Sequence, residues 1–128
     1  MILPLTGLKN FDPARLGPPA GARVAVVGGC GGMGRVLVGA SCALGLEVAV
    51  LDMARSLEAF PPPAGVWSRA CDVSDEAQVV AAFEALAADW GHLDFLVNLA
   101  GYTGERIRIE DMAAAEWDAI VNTDLRGM

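Results

Sequence analysis

Seven consecutive residues, Gly28-Gly29-Cys30-Gly31-Gly32-Met33-Gly34, restrict this chain more than any other feature. They follow a continuous apolar run, Val24-Ala25-Val26-Val27, and open a segment, Gly32 to Leu44, in which Met33, Val36, Leu37, Ala40 and Leu44 recur at helical spacing. The run reads as a strand buried on both faces of a parallel sheet, and the segment as a helix with that apolar face on the sheet, stopped by Gly45. Glycines at such a junction lack the Cβ that would keep a pyrophosphate away from the backbone. The helix N-terminus directs free N–H groups and partial positive charge at the same place. The turn therefore predicts a cradle for a dinucleotide phosphate. Two registers fit: G-x-G-x-x-G through Gly29, Gly31 and Gly34, and G-x-x-x-G-x-G through Gly28, Gly32 and Gly34. The loop alone does not choose between them. A mononucleotide P-loop is excluded, because it needs a lysine at the helix start and the single lysine is Lys9.

The remaining elements alternate in the same way. Val48 to Leu51 reads as a second buried strand ending at Asp52, followed by a loop or short helix and the stiff Pro61-Pro62-Pro63 connection. A third strand runs from about Val66 to Cys71. Ser74, with Asp75 and Glu76 behind it, reads as the cap of a helix whose apolar face is Val79, Val80, Phe83, Leu86 and Ala87 and which stops at Gly91. Leu93 to Leu99 is a fourth strand, and a last helix covers about Met112 to Leu125, with Trp117, Ile120 and Val121 roughly on one side. Right-handed crossovers turn this alternation into an α/β doubly wound parallel sheet, Rossmann-like, of strand order 3-2-1-4. Residues 1–22, with four prolines and no periodicity, read as an N-terminal arm, and residues 23–128 as the dinucleotide-binding domain.

Composition narrows the partners. The 128 residues form one domain and leave no room for a separate substrate domain. Nine Lys+Arg against sixteen Asp+Glu give a net charge of −7, which speaks against nucleic acid and against anionic membranes. Arg23, Arg35 and Glu47 interrupt the most apolar stretch, so no run is long enough to cross a bilayer, and the N-terminus lacks a secretory signal. Three cysteines without motif spacing suggest neither a disulfide framework nor a metal site and fit a cytoplasmic protein.

Asp52 closes the second strand 18 positions after Gly34, near the spacing at which a carboxylate accepts hydrogen bonds from the adenosine ribose hydroxyls. Its charge would repel a 2′-phosphate, which favours NAD over NADP, while Arg55 and Arg35 act in the other direction. Asp72-Val73 closes the third strand beside the expected adenine site. Asn98-Leu99-Ala100-Gly101 closes the fourth, where small residues let the backbone pass close to a ligand. Asn122 lies in the last helix and by itself reads as a polar helix residue.

Taken in order, these residues resemble the short-chain dehydrogenase/reductase family: the register Gly28/Gly32/Gly34, Asp52, Asp72-Val73, the near match of Asn98-Leu99-Ala100-Gly101 to the family's N-N-A-G, and Glu116-Trp117-Asp118 leading to Asn122. The resemblance selects the second glycine register. It implies that Gly31, Gly32 and Met33 contact the pyrophosphate, Asp52 the adenine ribose, Asp72 and Val73 the adenine, and Asn98 to Gly101 the nicotinamide-side ribose. Asn122 matches the asparagine of the family's Asn-Ser-Tyr-Lys catalytic set. The implied activity is NAD(H)-dependent hydride transfer to or from a small alcohol or ketone. The alternative is a non-catalytic NAD-binding module or subunit.

Three departures bear on that implication. Val27 stands where the family has threonine, and Leu99 replaces the second asparagine of N-N-A-G. The family's serine and Tyr-x-x-x-Lys follow the position of Asn122 and are not among these residues; Tyr102, the only tyrosine, lies after the fourth strand and is not the family's tyrosine. The chain thus reads as the cofactor portion of such an enzyme. Its apolar fourth strand is left as an uncovered edge, with homo-oligomerisation or pairing with a C-terminal portion expected.

Overall fold

The structure, a computed structural model, describes residues 17–128. β1 (Arg23–Val27), β2 (Glu47–Asp52), β3 (Trp67–Ala70) and β4 (Phe95–Asn98) form one parallel sheet in the order β3-β2-β1-β4. α1 (Gly32–Ala43), the short α2 (Ala54–Ala59) and α3 (Glu76–Trp90) connect them, and α4 (Ala114–Val121) follows β4. The order is the one the alternation predicts. Val24 pairs with Val48 and Phe95, and Val27 with Leu51 and Asn98, so β1 is central.

Successive side chains of a strand point to opposite faces, and both faces of β1 and β2 are covered. Ala25, Val27, Ala49 and Leu51 pack with Ala82 and Leu86 of α3, whereas Val24, Val26, Val48 and Val50 pack with Val38 of α1. Each fully buried Val or Leu stabilises the fold by about 1.5–3 kcal/mol. This two-sided burial explains the continuous apolar runs.

The inward face of α1 differs from the one expected. Gly34, Val38 and Ser41 are buried, while Met33 and Val36 are each 73% exposed and Leu44 is 61% exposed. Apolar residues surround α1 almost completely, so periodicity did not determine its phase. The close approach of Gly34 to the glycine turn does: a Cβ at Gly34 would collide with the Gly28 carbonyl and lie 2.7 Å from the Gly29 Cα.

Other expectations shift by shorter steps. α3 is capped by Asp75, not Ser74: the Asp75 carboxylate accepts from Ala77 N at 3.0 Å and Gln78 N at 3.3 Å, while the Ser74 hydroxyl turns back to Asp72. Ala82 takes the buried place expected for Val80, which is 49% exposed. The last helix is shorter than 112–125. A 3-10 turn at Ile109–Asp111 precedes α4, and a π-helical turn, Asn122–Arg126, follows it. Of the arm expected over residues 1–22, positions 1–16 lie outside the described residues. Its end is tied down, with Gly21 N donating to Gly45 O at 2.8 Å and Glu47 N to the carbonyl of buried Ala22 at 3.0 Å.

Two measurements test this packing. In urea denaturation Gly34→Ala should lose about 1–3 kcal/mol through overpacking. Gly39→Ala, on the exposed side of the same helix with nothing within 4 Å of the added Cβ, should gain about 0.4–1 kcal/mol. Cys30 and Cys71 are buried in opposite cores and Cys42 is exposed. Burial, then the neighbouring Asp52 carboxylate, pushes the Cys30 thiol up; burial, then Asp72 and Asp75, does the same to Cys71. A thiol reagent at neutral pH should therefore modify Cys42 quickly and the other two only after unfolding, and Cys42→Ser should abolish the fast phase.

Candidate coenzyme-binding site

The ladder hydrogen bonds continue past the strand ends and bring four loops together at the carboxyl edge of the sheet. Gly28 N donates to Leu51 O, Leu99 N to Val27 O and Cys71 N to Asp52 O, each at 2.8 Å. Open α/β sheets bind ligands at this edge, where the chain leaves β1 and β4 in opposite directions.

Gly28 adopts a positive φ of +78°, and a Cβ there would lie 2.6 Å from Ala100 N and 2.7 Å from the Leu99 carbonyl carbon. The first glycine thus lets the β1 turn lie flat on the β4 turn. Gly29 is held against Val50 in the same way, at 2.8 Å. Gly31 and Gly32 are different. A Cβ at Gly32 would meet nothing within 4 Å, and one at Gly31 only the Gly28 carbonyl at 3.4 Å. The space above these two residues is open, as a phosphate approaching the backbone requires.

The end of α1 is electrostatically available. Its N-cap, Gly31, makes no side-chain cap bond, and its first turn holds no acid, whereas α3 is capped by Asp75 and carries Glu76 in its first turn. No acid of α1 itself therefore offsets the partial positive charge at this end. Asp52 stands beside this turn: Cys30 N donates to Oδ2 and Met53 N to Oδ1, both at 2.8 Å. Each carboxylate oxygen has a further lone pair with which to accept from a ligand hydroxyl.

A cleft of about 780 Å³ opens between these loops. Of the residues singled out in the sequence, Gly28, Gly31, Asp52, Asp72, Val73, Ala100, Gly101 and Asn122 line it together. Four do not. Gly32 and exposed Met33 lie at the start of α1, Gly34 is packed under the turn, and Asn98 faces a neighbouring cavity of about 560 Å³. Asn98 binds within the protein, its Nδ2 donating to Gly127 O at 3.2 Å and its Oδ1 accepting from Ala100 N at 3.0 Å. Asp72 Oδ1 accepts from Ser74 N at 2.9 Å and from Ser74 Oγ at 2.7 Å, which holds the carboxylate at the β3 end. Asn122 opens the π-helical turn, and its carbonyl accepts from Gly127 N five residues on at 3.0 Å.

At the two departures the side chains join the cores: Val27 is buried on the α3 side and Leu99 packs on the α1 side. Sequence reasoning passed over Phe60, Met53 and Thr123, which also line the cleft. Phe60 ends α2, and the Arg35 guanidinium stacks over its ring, 4.4 Å from the centroid. No local pattern marks that pair, which depends on how α1 and α2 meet. Tyr102, at the cleft rim, donates its hydroxyl to Glu116.

The comparisons agree with this geometry. The family profile described as Enoyl-(Acyl carrier protein) reductase matches residues 28–128. Levodione reductase from Leifsonia aquatica is 35% identical over 113 residues, covering 82% of this chain and 42% of the relative. D-xylose 1-dehydrogenase from Caulobacter vibrioides is 36% identical over 118 residues, covering 84% and 44%. The chain thus spans less than half the length of these relatives. Among solved structures, levodione reductase superposes with a TM-score of 0.77 at 34% identity, covering 86% of this chain and 46% of that one. A 3-ketoacyl-(acyl-carrier-protein) reductase from Brucella melitensis, complexed with NADH, gives 0.78 at 28% identity, covering 86% and 47%. Sheet order, glycine turn and sequence agree: the chain belongs to the short-chain dehydrogenase/reductase family of oxidoreductases.

Proposed function

We propose that residues 23–128 are the NAD(H)-binding portion of a short-chain oxidoreductase that interconverts a small alcohol and its ketone. The observation that carries this reading is the Asp52 carboxylate, fixed by Cys30 N beside the open Gly31–Gly32 turn and the uncapped end of α1. In this reading the backbone at Gly31, Gly32 and Met33 binds the pyrophosphate. Asp52 accepts from the adenine ribose hydroxyls and rejects a 2′-phosphate. Asp72 and Val73 flank the adenine, and Asn98, Ala100 and Gly101 bound the nicotinamide-side ribose, Asn98 by holding the loop through Ala100 N. Gly28 and Gly34 keep the turn in shape by close backbone packing. When bound, the nicotinamide supplies or accepts the hydride. Asn122, at its helix irregularity, helps to hold a water for the proton relay.

The relay's Tyr-x-x-x-Lys pair is not among these 128 residues, whose only lysine is Lys9 and only tyrosine Tyr102. A second reading for this stretch is a non-catalytic NAD-binding module or subunit. Both readings give the exposed side of β4, where Leu96 is 55% exposed, a covering partner: further polypeptide of the same enzyme or a second copy. Among the described residues no helix is long and apolar enough to cross a membrane. We place the protein in the cytoplasm, where its three unpaired thiols would stay reduced.

Calorimetric titration with NADH tests the coenzyme site. Asp52→Ala should weaken binding by about 1–3 kcal/mol, and Gly32→Val should abolish it by filling the open approach. NADPH should bind more weakly than NADH to the unaltered protein. Unchanged affinity in Asp52→Ala would remove its ribose role, and retained binding in Gly32→Val would reduce the turn to a packing device.

A further inference from the structure

We propose that Glu116 is a positioning residue for the coenzyme cleft, its carboxylate clamping the loop after β4 and fixing the Tyr102 ring on the nicotinamide-side rim. The inference rests on the coenzyme reading of the cleft. Tyr102 donates its hydroxyl to Glu116 Oε1 at 3.0 Å and Oε2 at 3.2 Å, and Glu105 N donates to Oε1 at 3.2 Å. Three contacts thus converge on one carboxylate of α4 from both ends of a four-residue stretch of loop. Between them Gly104 takes a φ of +61°, and a Cβ there would collide with Oε1 and lie 3.2 Å from Ile120 Cδ1. A side chain at this φ would be strained and would have to displace the Glu116 carboxylate.

A second acid on the adjoining turn completes the hold. Tyr102 N donates to Asp124 Oδ1 at 2.7 Å, so Tyr102 is gripped by backbone and side chain from either side of Asn122. Tyr102, Ala100 and Gly101 line the cleft together with Asn122 and Thr123. Releasing the hydroxyl would free the ring and loosen the Ala100–Gly101 backbone that bounds the cleft.

The charges around the phenol give this arrangement a spectroscopic signature. The hydrogen bond to Glu116, then its charge, pushes the Tyr102 pKa above its ordinary value; Glu105 adds to the shift and the Arg55 guanidinium opposes it. The phenol therefore stays protonated and donating through the neutral range. The clamp is fully present below the ordinary tyrosine range and is lost as pH rises through the elevated value, when phenolate and carboxylate repel. A tyrosine held in this state is a poor proton donor or acceptor near neutrality, so Tyr102 serves geometry, not proton transfer.

Because Tyr102 is the only tyrosine, ultraviolet absorbance of tyrosinate reads it alone. Glu116→Gln removes the charge and keeps the shape, and should move the ionisation midpoint down toward the ordinary value. It should weaken NADH binding by roughly fivefold, the worth of one net hydrogen bond. Tyr102→Phe, which keeps the ring, should weaken NADH to a similar extent, and the double variant should be no weaker than either single one. If the unaltered protein binds no NADH, the coenzyme reading of the cleft fails. If it binds NADH and both single variants bind equally well, the positioning role is overturned, whether or not the midpoint moves. An unmoved midpoint in Glu116→Gln overturns the clamp itself.

Discussion

Backbone touching backbone at two glycines is the constraint on which the rest of the molecule depends. Gly28 brings the turn after β1 against the turn after β4, and Gly34 brings the first turn of α1 against Gly28 and Gly29. Neither contact tolerates a side chain. With both made, α1 points its N-terminus along the sheet's carboxyl edge, β1 sits between β2 and β4, and the ends of all four strands converge on one cleft. The apolar core supplies most of the stabilisation, but these two backbone contacts, not the core, hold the loops together.

Much of this architecture was legible because burial on both sheet faces leaves a strong mark. Val24–Val27 and Val48–Leu51 are continuous apolar runs, and alternate residues do feed the two cores. The glycine turn and Asp52 were legible for another reason: their chemistry is local, so spacing along the chain translates directly into spacing in the fold. The phase of α1 was not legible. Met33, Val36, Val38 and Leu44 are equally apolar, and the choice among them is made by a backbone contact with no side-chain signature. The cap of α3 shows a similar limit, since Ser74 and Asp75 are both good caps and the competing Asp72 carboxylate draws Ser74 away. The Arg35–Phe60 stack and the Tyr102–Glu116 bond join residues 25 and 14 positions apart. Their composition carried no hint of either meeting.

The exposed apolar residues fall on definite surfaces. Met33 and Val36 on α1 and Leu44 at its end lie away from the core-facing row of Gly34, Val38 and Ser41; Phe95 and Leu96 lie on the edge strand β4; Trp117 lies on α4. Scattered single apolar residues need no explanation on a protein surface, but concentration on one helix face and one sheet edge marks surfaces suited to further contact.

Asp52 joins two demands in one side chain. Its Oδ2 receives the Cys30 amide, which shapes the turn, and the same residue lines the cleft in which the proposed reading puts a ribose. In the proposed reading, selectivity toward the coenzyme and rigidity of the glycine turn therefore rest on one side chain. Any redesign that exchanges this acid for an apolar or basic residue, which has no acceptor, also strands the Cys30 amide in the turn. A new acceptor for that amide has to be introduced in the same step.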